Sequence, residues 1–201
     1  MNRRAALALS LLLGISCVAP RALAEGLSPE ERARLTQGDL VRRPIDVDLP
    51  EGPYFGGVAY AVIDAPPAEV MSVLLDIRAY SAILPLTLEA REVGRKGDNR
   101  LVFFRHGVRL ASASYTAIVK RHSPSVIRFW LDPAFPHEIE DCWGYFRVEP
   151  LPERRTLLTY AALLRLEFGV TRMLFSEKIR AYAMNTPLLL RRYIEDKRRS
   201  R

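Results

Sequence analysis

The sequence has few of the residues from which disulfide frameworks and metal sites are built. Two cysteines and three histidines occur among its 201 residues. Cys17 lies in the amino-terminal segment considered below, so Cys142 is left alone in the mature chain and an internal disulfide is excluded. Cys142 lies in a predicted strand, between Asp141 and Trp143. We therefore expect it to be a small buried side chain rather than a nucleophile.

Recognisable catalytic and nucleotide-binding patterns are also missing. There is no glycine-rich phosphate loop, and neither His106 nor His122, each next to a predicted turn, has a serine or cysteine partner at a known spacing. One dense polar cluster offers a single histidine and lacks the ligand spacing of zinc sites; it contains His137, Glu138, Glu140, Asp141 and Cys142. We therefore predict no metal, no cofactor and no catalytic residue.

The only long apolar run lies at the amino terminus. Residues 1–24 begin with Arg3-Arg4, continue through about 14 apolar residues and end in Ala22-Leu23-Ala24. That run is shorter than the roughly 20 residues of a membrane-spanning helix, so we predict a signal peptide cleaved after Ala24 and a periplasmic or secreted protein. Lipid attachment at Cys17 and twin-arginine export are the alternatives, although both lack consensus residues.

The basic charge is modest once the signal is removed. The formal net charge of +7 falls to +4 without its three arginines. Much of the excess lies in a carboxy-terminal run of Arg191, Arg192, Lys197, Arg198, Arg199 and Arg201. These cations either contact anionic lipid head groups or complement the negative end of a helix dipole. No nucleic-acid-binding motif accompanies them, so we expect no nucleic-acid partner.

The rest of the chain shows the alternation and turn residues of β-strands. A short helix is predicted from Ser28-Pro29 to Gly38, and a helix pair is predicted from about residue 67 to Pro85. Strands are predicted over 39–47, 54–63, 89–95, 100–105, 108–120, 125–131, 141–149 and 156–168. Consecutive strands with short connections predict an antiparallel meander in an α+β fold.

The last predicted element is the longest helix, from about Thr171 to Lys197. Its apolar residues recur three or four positions apart, so one face is expected to pack against the sheet. Pro187 is expected to kink it, because proline lacks an amide hydrogen and its ring clashes with the preceding turn.

The order of these elements, together with one sequence motif, resembles a known superfamily. The motif runs Ile63-Asp64-Ala65-Pro66-Pro67-Ala68-Glu69-Val70, then Leu74-Leu75-Asp76, Tyr80 and Leu84-Pro85. It resembles the START-like (SRPBCC) superfamily, which includes polyketide cyclase/dehydrase-like and coenzyme Q-binding START proteins. The resemblance covers about residues 54–197. It implies a helix-grip fold, in which a curved antiparallel sheet wraps around the long carboxy-terminal helix.

The resemblance also implies an elongated cavity between sheet and helix that holds a lipid, sterol, quinone or polyketide. A filled core without a cavity is the other interpretation. Expected lining residues on the helix are Phe175, Ile179, Tyr182 and Leu190. On the strands they are Phe103, Tyr115, Phe129, Trp143 and Tyr145. Arg105 and Arg128 are candidate polar groups of the cavity. The sequence leaves open which strand face points inward.

Domain organisation follows from these assignments. The 177 residues left after the signal suit one domain. We expect a lead-in over 25–53, the START-like domain over 54–197 and a basic tail over 198–201. The leading functional hypothesis is an exported, monomeric carrier of a hydrophobic small molecule. A cyclase- or dehydratase-like enzyme and an envelope protein-interaction module are the alternatives.

Overall fold

The computed structural model describes residues 26–109, 111–166 and 170–200, and in the last range the side chains from residue 176 onward. Helices are α1 (Pro29–Thr36), α2 (Pro67–Leu74), α3 (Tyr80–Ile83), α4 (Val170–Ala183) and α5 (Thr186–Arg199), with a 3₁₀ turn at Ile77–Ala79. Strands are β1 (Val41–Leu49), β2 (Gly52–Ile63), β3 (Thr87–Lys96), β4 (Asn99–Val108), β5 (Ala111–Ser123), β6 (Val126–Leu131), β7 (Asp141–Leu151) and β8 (Arg155–Arg165).

The eight strands form one antiparallel sheet in the order β1-β2-β8-β7-β6-β5-β4-β3. After β2 the chain passes through α2 and α3 to β3 at the far edge, and the meander then returns strand by strand until β8 pairs with β2. Strand β3, one of the two edge strands, carries two register shifts, between Thr87 and Glu89 and between Glu92 and Gly94. The predicted α+β helix-grip architecture is confirmed.

One face of the sheet, which we call the inner face, packs against α2, α3 and α5. Its apolar side chains alternate along the strands, as in Val102 and Phe104 of β4 or Leu158 and Tyr160 of β8. They share a core with Leu190 and Ile194 of α5 and with the helix pair. Side chains of this size contribute about 1.5–3 kcal/mol each on full burial, so this core is the main source of stability.

The opposite, outer face is covered on one side by α1. Leu35 of α1 packs with Val41 and Ile45 of β1 and with Val58 and Tyr60 of β2. The predicted lead-in therefore contributes a strand, β1, to the sheet and a helix, α1, that covers its outer face. This cover explains why β2 is buried along almost its whole length.

Helix α1 begins at a capping box formed by Ser28 and Glu31. The Glu31 amide donates to Ser28 Oγ at 3.2 Å, and the Ser28 amide donates to Glu31 Oε2 at 2.8 Å. Glu31 also accepts a hydrogen bond from Arg43 Nε of β1 at 2.8 Å. The Arg43 guanidinium thereby lowers the pKa of Glu31 to about 2, and α1 is tied to β1.

Replacing Ser28 with alanine is expected to destabilise the protein by about 1 kcal/mol, because one amide at the start of α1 loses its acceptor. Ser72→Ala is the matched control, since the Ser72 hydroxyl bonds only the carbonyl of Glu69 within α2. Urea unfolding of both variants measures the difference. Equal stabilities of the two variants would contradict the capping assignment.

The carboxy-terminal segment forms two helices rather than one kinked helix. Helix α4 ends at Ala183, and Pro187 lies in the first turn of α5. Proline has no amide to bond the carbonyl of Ala183, and the Thr186 hydroxyl donates to that carbonyl at 2.7 Å instead. On either side of the break, α4 contacts β2, and α5 contacts β2, β8 and α3.

Candidate functional site

Aromatic rings from neighbouring strands meet on the inner face. The inner aromatic cluster comprises Phe104, His106, Tyr115, Phe129, Phe146 and Tyr160. Phe104 and Tyr115 are cross-strand partners with ring centroids 5.5 Å apart, and Phe146 and Tyr160 lie 4.8 Å apart. Tyr80 of α3 stacks on Phe104 at 5.9 Å. The rings form two contacting groups on the inner face, one around Phe104 and the other around Phe146.

A row of small residues crosses the sheet beside this cluster. Gly57, Ala162 and Gly144 are successive partners on β2, β8 and β7, and Phe129 follows on β6. A Cβ atom at Gly144 would lie 2.4 Å from the Phe129 ring, and one at Gly57 would lie 2.5 Å from Met184 Sδ. The row therefore gives room for an aromatic ring at one end and for the α4–α5 junction at the other.

Ion pairs hold helix α4 beyond the Gly57 end of this row, against β1. Arg180 pairs with Asp46 of β1 and, at 3.2 Å, with Glu177 of the same helix. At the junction, Arg42 donates to Asn185 Oδ1. The described part of α4 thus packs on β1 and β2, while the inner aromatic cluster extends across β4 to β8.

His106 brings a polar group into this cluster. Its ring stacks on Phe104 at 5.2 Å and on Tyr115 at 5.6 Å. Nε2 lies 2.8 Å from the Thr87 hydroxyl, whereas Nδ1 is buried without a hydrogen-bond partner. Burial lowers the pKa of His106 to about 4, because the charged imidazolium is poorly solvated there. The ring is therefore neutral at physiological pH.

The phenols of the cluster are neutral as well. Burial raises the pKa of Tyr115, and it raises the pKa of Tyr160 to about 12. Burial also raises the pKa of the Cys142 thiol, which agrees with the inert buried role predicted for it. The arrangement suits an uncharged molecule better than an ion.

Three of the predicted lining residues lie on the inner face. Tyr115 and Phe129 belong to the inner aromatic cluster and are partly buried. Leu190 is fully buried on α5, where it packs into the core between the helix pair and the sheet.

Three other predicted lining residues lie on the outer face. Trp143 and Tyr145 pack with the cluster beneath α1, and Phe103 is covered by the Arg91 guanidinium at 4.8 Å. The strands alternate, so Phe103 points away from Phe104 and Trp143 points away from Phe146. These side chains do not border the space between the sheet and α5.

The two candidate arginines also lie on the outer face. Arg105 follows Phe104 and pairs with Glu89 at 3.7 Å, while Arg128 is exposed between Ile127 and Phe129. Neither reaches the inner aromatic cluster, because each is the strand neighbour of an inner-face residue.

On α4, Ile179 is partly buried, and Tyr182 is 47% exposed. The Phe175 side chain, the predicted signal segment with Cys17 and Ala24, and Arg201 lie outside the described residues.

Within the described part of the chain, the acidic residues of the predicted polar cluster have separate partners. Glu138 accepts from the Ser114 amide at 2.7 Å, Glu140 pairs with Arg165 at 3.1 Å, and Asp141 accepts from the Tyr54 hydroxyl at 2.5 Å. No group of three His, Cys, Asp or Glu side chains there could hold a metal ion.

Several basic residues near the carboxy terminus contact their own chain. Arg191 donates to the carbonyl of Gly38, Arg198 donates to the carbonyl of Asp64 and pairs with Glu69, and Arg199 pairs with Asp196. Among the described helices, none has both the length and the apolar character needed to cross a membrane.

Two open depressions of about 410 Å³ each lie away from the inner aromatic cluster. One lies beside Asp76, Arg91 and Arg100, and the other lies between Asp64 and Arg198. Charged side chains dominate both, which does not suit an apolar molecule. The inner aromatic cluster is therefore the better candidate site.

His106 was not among the predicted site residues. The sequence favours a turn at His106-Gly107, whereas β4 continues to Val108 and His106 pairs with Ala113. The available signal was the alternation Val102, Phe104, His106, which puts the histidine on the same face as two apolar residues.

No protein-family model and no curated protein sequence matches the chain. Solved structures do match its fold. A STAR-related lipid transfer protein from Xanthomonas axonopodis aligns with a TM-score of 0.64 at 12% identity, over 78% of this chain and 93% of that one. The Zhui aromatase/cyclase from Streptomyces sp. R1128 aligns with a TM-score of 0.57 at 16% identity, over 80% and 97%.

A START superfamily protein from Mycobacterium smegmatis gives a TM-score of 0.58 at 16% identity, over 69% of this chain and 96% of that one. Identities this low establish the fold and not the ligand. Together with the sheet order and the helices on its inner face, these likenesses show that the chain has the START-like (SRPBCC) fold.

Proposed function

We propose that the protein is an exported carrier that binds a hydrophobic small molecule against the inner aromatic cluster, between the sheet and the carboxy-terminal helices. The observation that carries the proposal is the set of contacting aromatic rings beside the row Gly57, Ala162 and Gly144. Rings supply a large apolar contact area. The methyl group of Ala162, in the middle of the row, adds little bulk on this face of the sheet.

The likeness in fold to a lipid transfer protein and to an aromatase/cyclase supports this site. Each alignment covers more than three quarters of the chain. Export is supported by residues 1–24, which have the layout of a secretory signal.

The test is mass spectrometry of protein purified from its native envelope without detergent. We expect an organic extract with a near-equimolar lipid, sterol, quinone or polyketide-like compound, and a polypeptide mass that begins at residue 25. Protein that is empty and also takes up no member of a lipid and quinone panel would contradict the carrier function. A mass that includes residues 1–24 would contradict cleavage.

A blocking variant makes the test specific to the site. Ala162→Phe places a ring in the row of small residues and is expected to remove most of the bound compound. Arg128→Phe places the same ring on the exposed outer face and should leave the bound amount unchanged. Circular dichroism of both variants confirms folding. Equal loss in the two variants would contradict the inner-face location.

A further inference from the structure

His106 contains a hydrogen-bonding atom that the protein leaves unused. Nδ1 is buried and has no hydrogen-bond partner. The rings of Phe104 and Tyr115 lie 5.2 and 5.6 Å from the imidazole, centroid to centroid. Buried polar atoms in folded proteins are nearly always hydrogen-bonded, because an unmet group forfeits the bonds that water would supply. An exception inside a candidate binding site indicates a partner that comes from the ligand.

The other side of the imidazole is held in place by the edge strand. Thr87 is the cross-strand partner of His106, and its hydroxyl bonds Nε2 at 2.8 Å. Leu86, just before it, has a φ of 58°, a left-handed conformation that a leucine rarely adopts. The Leu86 carbonyl accepts from the Gly107 amide at 2.8 Å, which fixes this turn beside His106.

We propose that Nδ1 of His106 hydrogen-bonds the bound molecule, and that this molecule is an apolar compound with a neutral oxygen group, a carbonyl or a hydroxyl. The proposal rests on the proposed function, and it adds the chemical class of the ligand and the residue that recognises it.

The Thr87 hydroxyl allows either oxygen group. When it donates to Nε2, the proton of the neutral imidazole is on Nδ1, which then donates to a carbonyl. When it accepts from Nε2, Nδ1 accepts from a hydroxyl. A carboxylate or phosphate fits poorly, because the imidazole is neutral and the nearby Arg105 points to the outer face.

Matched naphthalenes test the proposal. In 1-acetylnaphthalene a carbonyl replaces a methylene of 1-ethylnaphthalene at nearly the same shape, and 1-naphthoate carries a negative charge. Fluorescence titration of the mature protein and of His106→Phe gives the three affinities. We expect the acetyl-to-ethyl affinity ratio to be about tenfold higher in the wild type than in His106→Phe, with 1-naphthoate the weakest ligand of the wild type.

Nitrogen NMR of ¹⁵N-histidine-labelled wild-type protein provides a readout that does not depend on that variant. We expect 1-acetylnaphthalene to shift the His106 Nδ1 resonance, assigned with the exposed-site variants His122→Gln and His137→Gln, and 1-ethylnaphthalene to leave it nearly unchanged. Equal affinity ratios without an Nδ1 shift would overturn the role of His106 while leaving the carrier function intact. Tighter binding of 1-naphthoate would overturn the neutral ligand class. Failure of all three probes to bind would overturn this inference, whereas the carrier function is decided separately by the lipid and quinone panel.

Discussion

Replacing Gly144 with alanine is expected to lower the free energy of unfolding by up to about 3 kcal/mol and to displace the Phe129 ring. The added Cβ would lie 2.1 Å from the carbonyl oxygen of Ala161 and 2.4 Å from Phe129 Cζ. The ring can rotate away, but the oxygen belongs to the backbone of the paired strand. The sheet must therefore shift, and hydrogen bonds between β7 and β8 weaken.

Gly94→Ala is the matched control for this substitution. Gly94 also lies in a strand, but a Cβ there would meet only Leu101 Cδ1, at 3.7 Å, an ordinary van der Waals contact. Urea unfolding of the two variants isolates the effect of close packing from the general effect of removing a glycine. A Gly144→Ala variant as stable as Gly94→Ala would show that the packing of Phe129 against β7 does not require a glycine at position 144.

Acid is expected to destabilise the wild-type protein through His106 by up to about 3 kcal/mol. The ordinary histidine pKa of 6.5 is lowered by burial to about 4 in the folded protein. Between those values the unfolded chain binds a proton that the folded chain does not. The contribution to stability is therefore complete above about pH 6.5 and is lost as the pH falls toward 4.

The measurement is the difference in unfolding free energy between the wild type and His106→Gln, taken at several pH values from 7.5 to 4.5. Glutamine does not titrate, so other ionisable groups cancel to a first approximation. We expect the difference to fall steadily with acid. His122→Gln, at an exposed position of β5, should follow the wild type. A pH-independent difference for His106→Gln would contradict the burial of its imidazole.

The sequence was sufficient to predict the order of elements because their signals are local. Turn residues mark most strand ends, and the Ala65-Pro66-Pro67 corner marks the start of α2. The hairpin between β4 and β5 was less easily placed. Gly107 looks like a turn residue in the sequence, but it lies within the ladder opposite Ser112 with a φ of 136°.

Which of the two alternating sets of side chains in a strand points inward depends on what covers each face of the sheet. In β7, Trp143 and Tyr145 alternate with Cys142, Gly144 and Phe146, so both faces look apolar. The outer-face set is covered in part by the cluster beneath α1, an element distant in sequence. The local sequence pattern does not contain that information. For this reason, the aromatic residues that the sequence predicts as cavity lining lie partly on the inner face and partly on the outer face.

The irregular edge strand β3 has a consequence for the fate of the protein at high concentration. A straight, unpaired strand offers its amides and carbonyls to any similar strand, and polymerisation begins at such edges. The two register shifts in β3 interrupt that row, and Arg91, Glu92 and Arg95 place charges along it. This edge thereby opposes the addition of a ninth strand and the growth of fibrils from the sheet.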